Sequence, residues 1–250
     1  MNSKEISNGS EFFEAIASAE GQCVTESLAD IPRLGISAPL SYECLGNTLS
    51  LLYREASCQF GCPGGDHFLQ RITSRVVNLS LASLRLALCG YYDESLSLIR
   101  SVGEVANLAF LFAAQPAMLE EWRVAAESTR RREFGPVKIR LKLEACGLKP
   151  PVEADRYSRL SEVGAHIVPS LDPQAFNEHG RSTLGARFQC EGLMVVLNEL
   201  GVVVAEAAGC LSALLPAAER QVALQREAEM LLNVVGSLDL AKSRDRARGV

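Results

Sequence analysis

Between Glu94 and Glu120 only two residues carry charge, Arg100 and Glu104, while Leu96, Ile99, Gly103, Ala106 and Phe110 recur at helical spacing. A helix that is apolar nearly all round is a buried one. That segment requires neighbouring helices to cover it, and its two charges require partners, because a charge buried unpaired costs several kcal/mol. Arg100 and Glu104 stand four residues apart on one face and can pair with each other. Asn107 extends the same polar stripe by a turn.

The remaining sequence reads as further helices, with no strand alternation and no internal repeat. Helical patterns cover about 12–19, 45–56, 67–89, 94–114, 116–132, 137–146, 154–167, 186–215 and 216–235. Asp66 and Asp93 suit N-caps, Pro116 and Pro136 suit first turns, and Gly90 and Gly147 suit helix ends. The short link at 89–93 predicts an antiparallel hairpin of two long helices. Residues 1–40 read as a mobile N-terminal arm or cap, 41–235 as one helical bundle domain, and 236–250 as a charged tail. The helix beginning at 186 is apolar but interrupted by Glu199 and Glu206.

Composition narrows the partners. The net charge is −5 with both signs interspersed, which gives no global attraction to duplex DNA or anionic lipid. Eight cysteines fall mostly inside apolar helical patterns, where a free thiol acts as a small core residue. With no secretory segment evident, they point to a reducing compartment. The longest uncharged run, 105–119, is shorter than the roughly 20 residues of a membrane span. The expectation is a soluble, cytoplasmic protein with no membrane partner.

Three constellations could carry chemistry. On a helical wheel the 154–167 segment places Leu160, Val163 and Ile167 in an apolar stripe, with Arg159, Glu162 and His166 along one flank and Tyr157 and Ser161 on the other. An imidazole beside a guanidinium and a carboxylate suits general acid–base work on a phosphate ester. A hydrogen-bonded structural histidine is the competing reading. The second constellation, Cys58-x3-Cys62-x4-His67, sets soft ligands close together but lacks a fourth within the loop. A turn with incidental thiols is preferred there over a zinc site, which His179 or Cys44 would have to complete. The third is basic: Arg123, Arg130, Arg131, Arg132, Lys138, Arg140 and Lys142. Glu120, Glu121, Glu127 and Glu133 are interspersed, which favours a solvated, paired face. A polar loop cluster of Asn177, Glu178, His179 and Arg181 follows the first constellation.

Arg159-x6-His166 on one helix resembles the hallmark of the HEPN-like helical superfamily, many of whose members are toxins, anti-phage effectors or other RNA-cleaving proteins. The elements Gly90-x3-Glu94, Arg100-x3-Glu104 and Leu160-Ser161-x4-His166 are similar to those of uncharacterised bacterial helical proteins placed near it. The resemblance covers about 66–215. It implies an all-α, HEPN-like bundle in which Arg159 and His166 contact a scissile phosphate and its 2′-hydroxyl, Glu104 is the acidic partner, and Arg100 and Glu162 support them. It also implies metal-independent transesterification of RNA, a homodimer through the apolar helices, and an antitoxin or activator protein as partner. The competing expectation is a non-catalytic binding or scaffold module in which these groups only join helices.

Overall fold

The computed structural model describes residues 9–34, 37–60, 67–165 and 185–235. Every regular element among them is helical, so the chain is all-α. The α-helices are α1 (Gly9–Asp30), α2 (Ser37–Ala56), α3 (Phe68–Leu88), α4 (Tyr92–Ala114), α5 (Pro116–Val124), α6 (Glu127–Glu133), α7 (Pro136–Ala145), α8 (Ala154–Gly164), α9 (Cys190–Ser212) and α10 (Ala218–Val234).

Helix α9 lies at the centre because almost nothing on it is polar. Leu193, Val196, Leu200, Val203 and Ala207 are fully enclosed, and α2, α3, α4 and α10 pack around it. Helix α4 is its closest companion and buries Tyr92, Leu96, Ile99, Val102 and Ala106 completely. The Tyr92 hydroxyl, which is enclosed and must find a partner, accepts a hydrogen bond from the Gln189 backbone N–H at 2.8 Å just ahead of α9. By length and composition α4 and α9 could each cross a membrane, although the uncharged run at 105–119 is short. Here 50% and 78% of their apolar windows are buried inside the protein.

The turn between α3 and α4 forms where the sequence marks it. Gly90 adopts φ +87°, and the Tyr91 N–H reaches the Leu86 carbonyl at 2.9 Å while the Gly90 N–H reaches that of Ala87 at 3.0 Å, a Schellman closure. Across this pair, Ser83 and Ser95 exchange hydroxyl and carbonyl hydrogen bonds near the turn. At the far end the rings of Phe68 and Phe112 lie 6.1 Å apart, with Trp122 of α5 against both.

Helix α8 runs along α4 on a seam of small and polar residues. Near its C-terminal end a Cβ on Gly164 would lie 2.6 Å from the Ser97 nitrogen and 2.7 Å from the Asp93 carbonyl oxygen. At the opposite end of the seam Gly103 sits against Val152. Glycine at 164 therefore sets how closely the two backbones approach.

Several boundaries differ from the expected ones. Helix α1 runs 22 residues rather than the short 12–19 pattern. It buries little besides Cys23 and Ser27, so it carries no strong periodicity to read. It is nonetheless held to the α3–α4 turn, since Ser27 donates to the Leu88 carbonyl and Tyr91 to Glu20, both at 3.0 Å. The single helix expected over 116–132 is two, α5 and α6, because Ala125 and Ala126 are extended. Arg130 of α6 donates back to the Ala125 carbonyl at 2.6 Å. Asp93 sits inside the first turn of α4, with Tyr91 at the cap position. His67 occupies the cap of α3, and Asp66 lies outside the described residues.

Replacing Gly164 by Ala is expected to lower unfolding stability by about 1–3 kcal/mol, the usual cost of forcing atoms into a packed contact. Gly46→Ala in α2, where the added methyl meets nothing within 4 Å, should be neutral or stabilising by up to about 1 kcal/mol. Urea unfolding of the two variants measures both.

Candidate polar site at the α4, α7 and α8 seam

Arg100 and Glu104 stand on a half-buried stripe of α4, and they keep about a quarter and a third of their side chains exposed (25% and 31%). They approach to 3.6 Å, and a third group completes the pairing. The Tyr157 hydroxyl of α8 accepts a hydrogen bond from Arg100 Nη1 at 2.9 Å and donates its own to Glu104 Oε1 at 2.9 Å. The guanidinium of Arg100 also lies 5.4 Å from the centre of the Tyr157 ring. The phenol thus joins both charges and ties α8 to α4.

Arg140 of α7 approaches the same ring at 4.5 Å, within cation–π range. Its side chain is only 9% exposed and its Nη1 atom has no hydrogen-bond partner. Around Tyr157 there are thus two guanidinium groups and one carboxylate. Burial pushes the Tyr157 phenol above its ordinary pKa, and the hydrogen bond and charge of Glu104 push the same way, against the pull of Arg100 and Arg140. At neutral pH the phenol is protonated and acts as a hydrogen-bond donor rather than a base.

One turn further along α4, Asn107 holds the chain that leads into α8. Its Nδ2 donates to the Val152 carbonyl at 2.8 Å, and its Oδ1 accepts from the Val152 N–H at 2.9 Å. The amide satisfies both backbone groups of a fully buried residue. On another side of α8, Arg156 makes an ion pair with Glu199, which is enclosed within α9. The first of the two glutamates interrupting α9 is therefore neutralised by α8.

The candidate residues fall into two groups. Arg100 and Glu104 come together as the sequence indicates, but the residue facing them is Tyr157, from the flank of α8 opposite Arg159 and Glu162. Leu160 and Val163 are buried as the wheel requires. The Tyr157, Ser161 and Gly164 side turns toward α4, while Glu162 is exposed. Arg159 is half-buried, with its Nε lacking a hydrogen-bond partner. No hydrogen bond or ion pair joins Arg159 or Glu162 to Arg100 or Glu104. His166, His179 and the polar cluster at 177–181 lie outside the described residues. Two members of the cluster, Tyr157 and Arg140, stand in the sequence without a catalytic role, Tyr157 beside Ser161 on the second flank of the 154–167 helix and Arg140 within the basic cluster. In the structure Tyr157, Ser161 and Gly164 form a stripe of small and polar groups. Arg140 shares a face of α7 with the buried Ile139 and Leu143, unlike its basic neighbours Lys138 and Lys142.

Three residues of the basic cluster are ion-paired. Arg123 meets Glu120, Arg131 meets Glu127 and Arg132 meets Glu133. The cysteine loop is described in part: Cys58 is exposed in a short 3₁₀ turn, His67 begins α3, and Cys62 lies outside the described residues. Among the described residues no group of three His, Cys, Asp or Glu side chains is placed to hold a metal ion. Burial pushes the thiols of Cys23 and Cys210 up to about 11 and about 12.

Comparison of the chain with protein-family models, with curated proteins and with solved structures returns no match. The class assigned by the described structure is therefore an all-helical protein with a polar, cation-rich seam.

Tyr157→Phe removes two charge-assisted hydrogen bonds at a partly exposed site and should lower stability at neutral pH by about 1–2 kcal/mol. A raised phenol pKa favours folding below pH 10, the ordinary value, and that contribution is lost as pH rises through the folded-state pKa. The stability gap between wild type and Tyr157→Phe should consequently close above pH 10, as read from urea midpoints across pH. In a thiol titration with a chromogenic disulfide at pH 8, Cys58→Ser and Cys146→Ser should each remove one rapidly reacting equivalent, since both thiols are exposed. Cys210→Ser should remove none until the protein is unfolded.

Proposed function

We propose that this chain is a HEPN-like helical protein directed at RNA, acting as a metal-independent ribonuclease of a bacterial defence or toxin–antitoxin system. The pairing of α3 with α4 would be the antiparallel core of such a bundle, which the Phe68–Phe112 and Ser83–Ser95 contacts at its two ends support. The observation that carries the RNA reading is the surplus of cationic charge at the seam. Arg100 and Arg140 both address Tyr157, Glu104 is the one carboxylate hydrogen-bonded there, and Arg140 is buried. A phosphodiester would supply the missing negative charge.

In this scheme one phosphate of the RNA rests against Arg100 and Arg140 at the seam, while the scissile phosphate lies on the Arg159 flank of α8. Arg159 faces its phosphoryl oxygens, and His166 takes the proton of the 2′-hydroxyl as that oxygen attacks phosphorus and the bond to the 5′-oxygen breaks. Glu104 holds Tyr157 and Arg100 in place, and Glu162 supports the exposed flank of α8. The cytoplasm, a second copy of the chain and an antitoxin or activator protein belong to the same proposal. The competing reading, a non-catalytic binding or scaffold module, is favoured by a separate observation. The Tyr157 hydroxyl and the Asn107 amide are both satisfied within the fold, as purely structural groups would be.

Incubating the purified protein with mixed cellular RNA in EDTA separates the two. Cleavage by wild type that is lost in folded His166→Ala and Arg159→Ala is the expected outcome. Neither cleavage nor retention of a labelled single-stranded RNA by wild type would leave the scaffold reading in its place.

A further inference from the structure

A cavity of about 430 Å³ opens between the C-terminal half of α4, the segment entering α8, α9 and α10. That volume is within the range of small-ligand sites. Phe110, Ala113, Pro150, Pro151 and Ala213 give it an apolar wall. The two prolines are held by the neighbouring Val152, which Asn107 clamps through both backbone groups.

The polar groups lining this cavity are committed elsewhere, with one exception. Lys149 is paired with Glu153 at 2.8 Å, and both are well exposed. The Gln225 amide donates to Glu229 and accepts from the Ser212 hydroxyl. Arg156, whose charge reaches this region, is paired with Glu199. Glu206 alone brings a charge with no hydrogen bond or ion pair. One turn along α9, the Cys210 side chain lines the same cavity, 7% exposed and without a hydrogen-bond partner.

We infer that this cavity binds a small organic cation, a primary ammonium group seated on the Glu206 carboxylate with an apolar body against Phe110, Pro150 and Pro151. The charge bookkeeping selects that chemistry over an anion, because the one ammonium at the mouth is already neutralised by Glu153. Burial pushes the Glu206 carboxyl above its ordinary pKa, against the pull of Arg156 and Lys149, whose own ion pairs are with Glu199 and Glu153. Burial likewise keeps the Cys210 thiol protonated, so it serves as wall rather than nucleophile. The site is separate from the Tyr157 cluster and does not rest on the RNA proposal.

The test is calorimetric titration of the full chain in an amine-free phosphate buffer. The probes are n-butylammonium, cyclohexylammonium and phenethylammonium, each with its neutral alcohol analogue. The expected result is binding of at least one ammonium probe with no binding of its alcohol. Glu206→Gln should weaken that binding at least tenfold. Gly209→Leu should abolish it by filling the cavity, because a side chain there first meets only the Gln225 amide oxygen, at 3.7 Å. Circular dichroism and thermal melts confirm that both variants are folded. Absence of binding by all three ammonium probes, equal binding of ammonium and alcohol, or full binding by Glu206→Gln would each overturn the assignment.

Discussion

The constraint on which the rest of this protein depends is that α4 must bury one face against α9 while keeping two opposite charges on another. The apolar face alone would let α4 rotate or slide, since Leu, Ile, Val and Ala side chains are interchangeable at modest cost. Arg100, Glu104 and Asn107 remove that freedom. Each has a partner at a fixed height along the helix, Tyr157 for the two charges and Val152 for the amide. Gly164, further along, admits α8 to near backbone contact. The polar stripe therefore specifies register, and the apolar faces supply most of the stability.

The same division accounts for what could be read from the sequence. The buried helices α4 and α9 are legible because nothing but a core would tolerate them. The α3–α4 turn is legible because Gly90 is the residue type that a left-handed closure favours. The full length of α1 is not legible, since its few buried positions leave no periodic signal. The break between α5 and α6 falls at two alanines, which carry no turn chemistry, and is fixed by backbone conformation and the Arg130 hydrogen bond to Ala125.

The candidate site divides in the same way. Arg100 and Glu104 stand out because a charge on an apolar helix is costly without a partner. Which flank of α8 meets them is marked in α8 only by Gly164 on the Tyr157 side, and that a glycine there admits the α4 backbone is evident only in the fold. The height of Val152 against Asn107 is likewise a tertiary fact. Arg140 was hidden among basic neighbours, and only its position on the buried face of α7 sets it apart. The carboxylates of α9 diverge for similar reasons: Arg156 reaches Glu199, whereas Glu206 opens into a cavity.

The central claim, that Tyr157 couples α8 to the Arg100–Glu104 pair, is tested most directly by a double-mutant cycle with Tyr157→Phe and Glu104→Gln, read by urea unfolding at neutral pH. If the hydroxyl bridges the two charges, the two losses should be coupled by about 0.5–3 kcal/mol, the range found for residues in one hydrogen-bonded network. Additivity to within about 0.3–0.5 kcal/mol, as found for distant and independent sites, would contradict it and detach α8 from this seam.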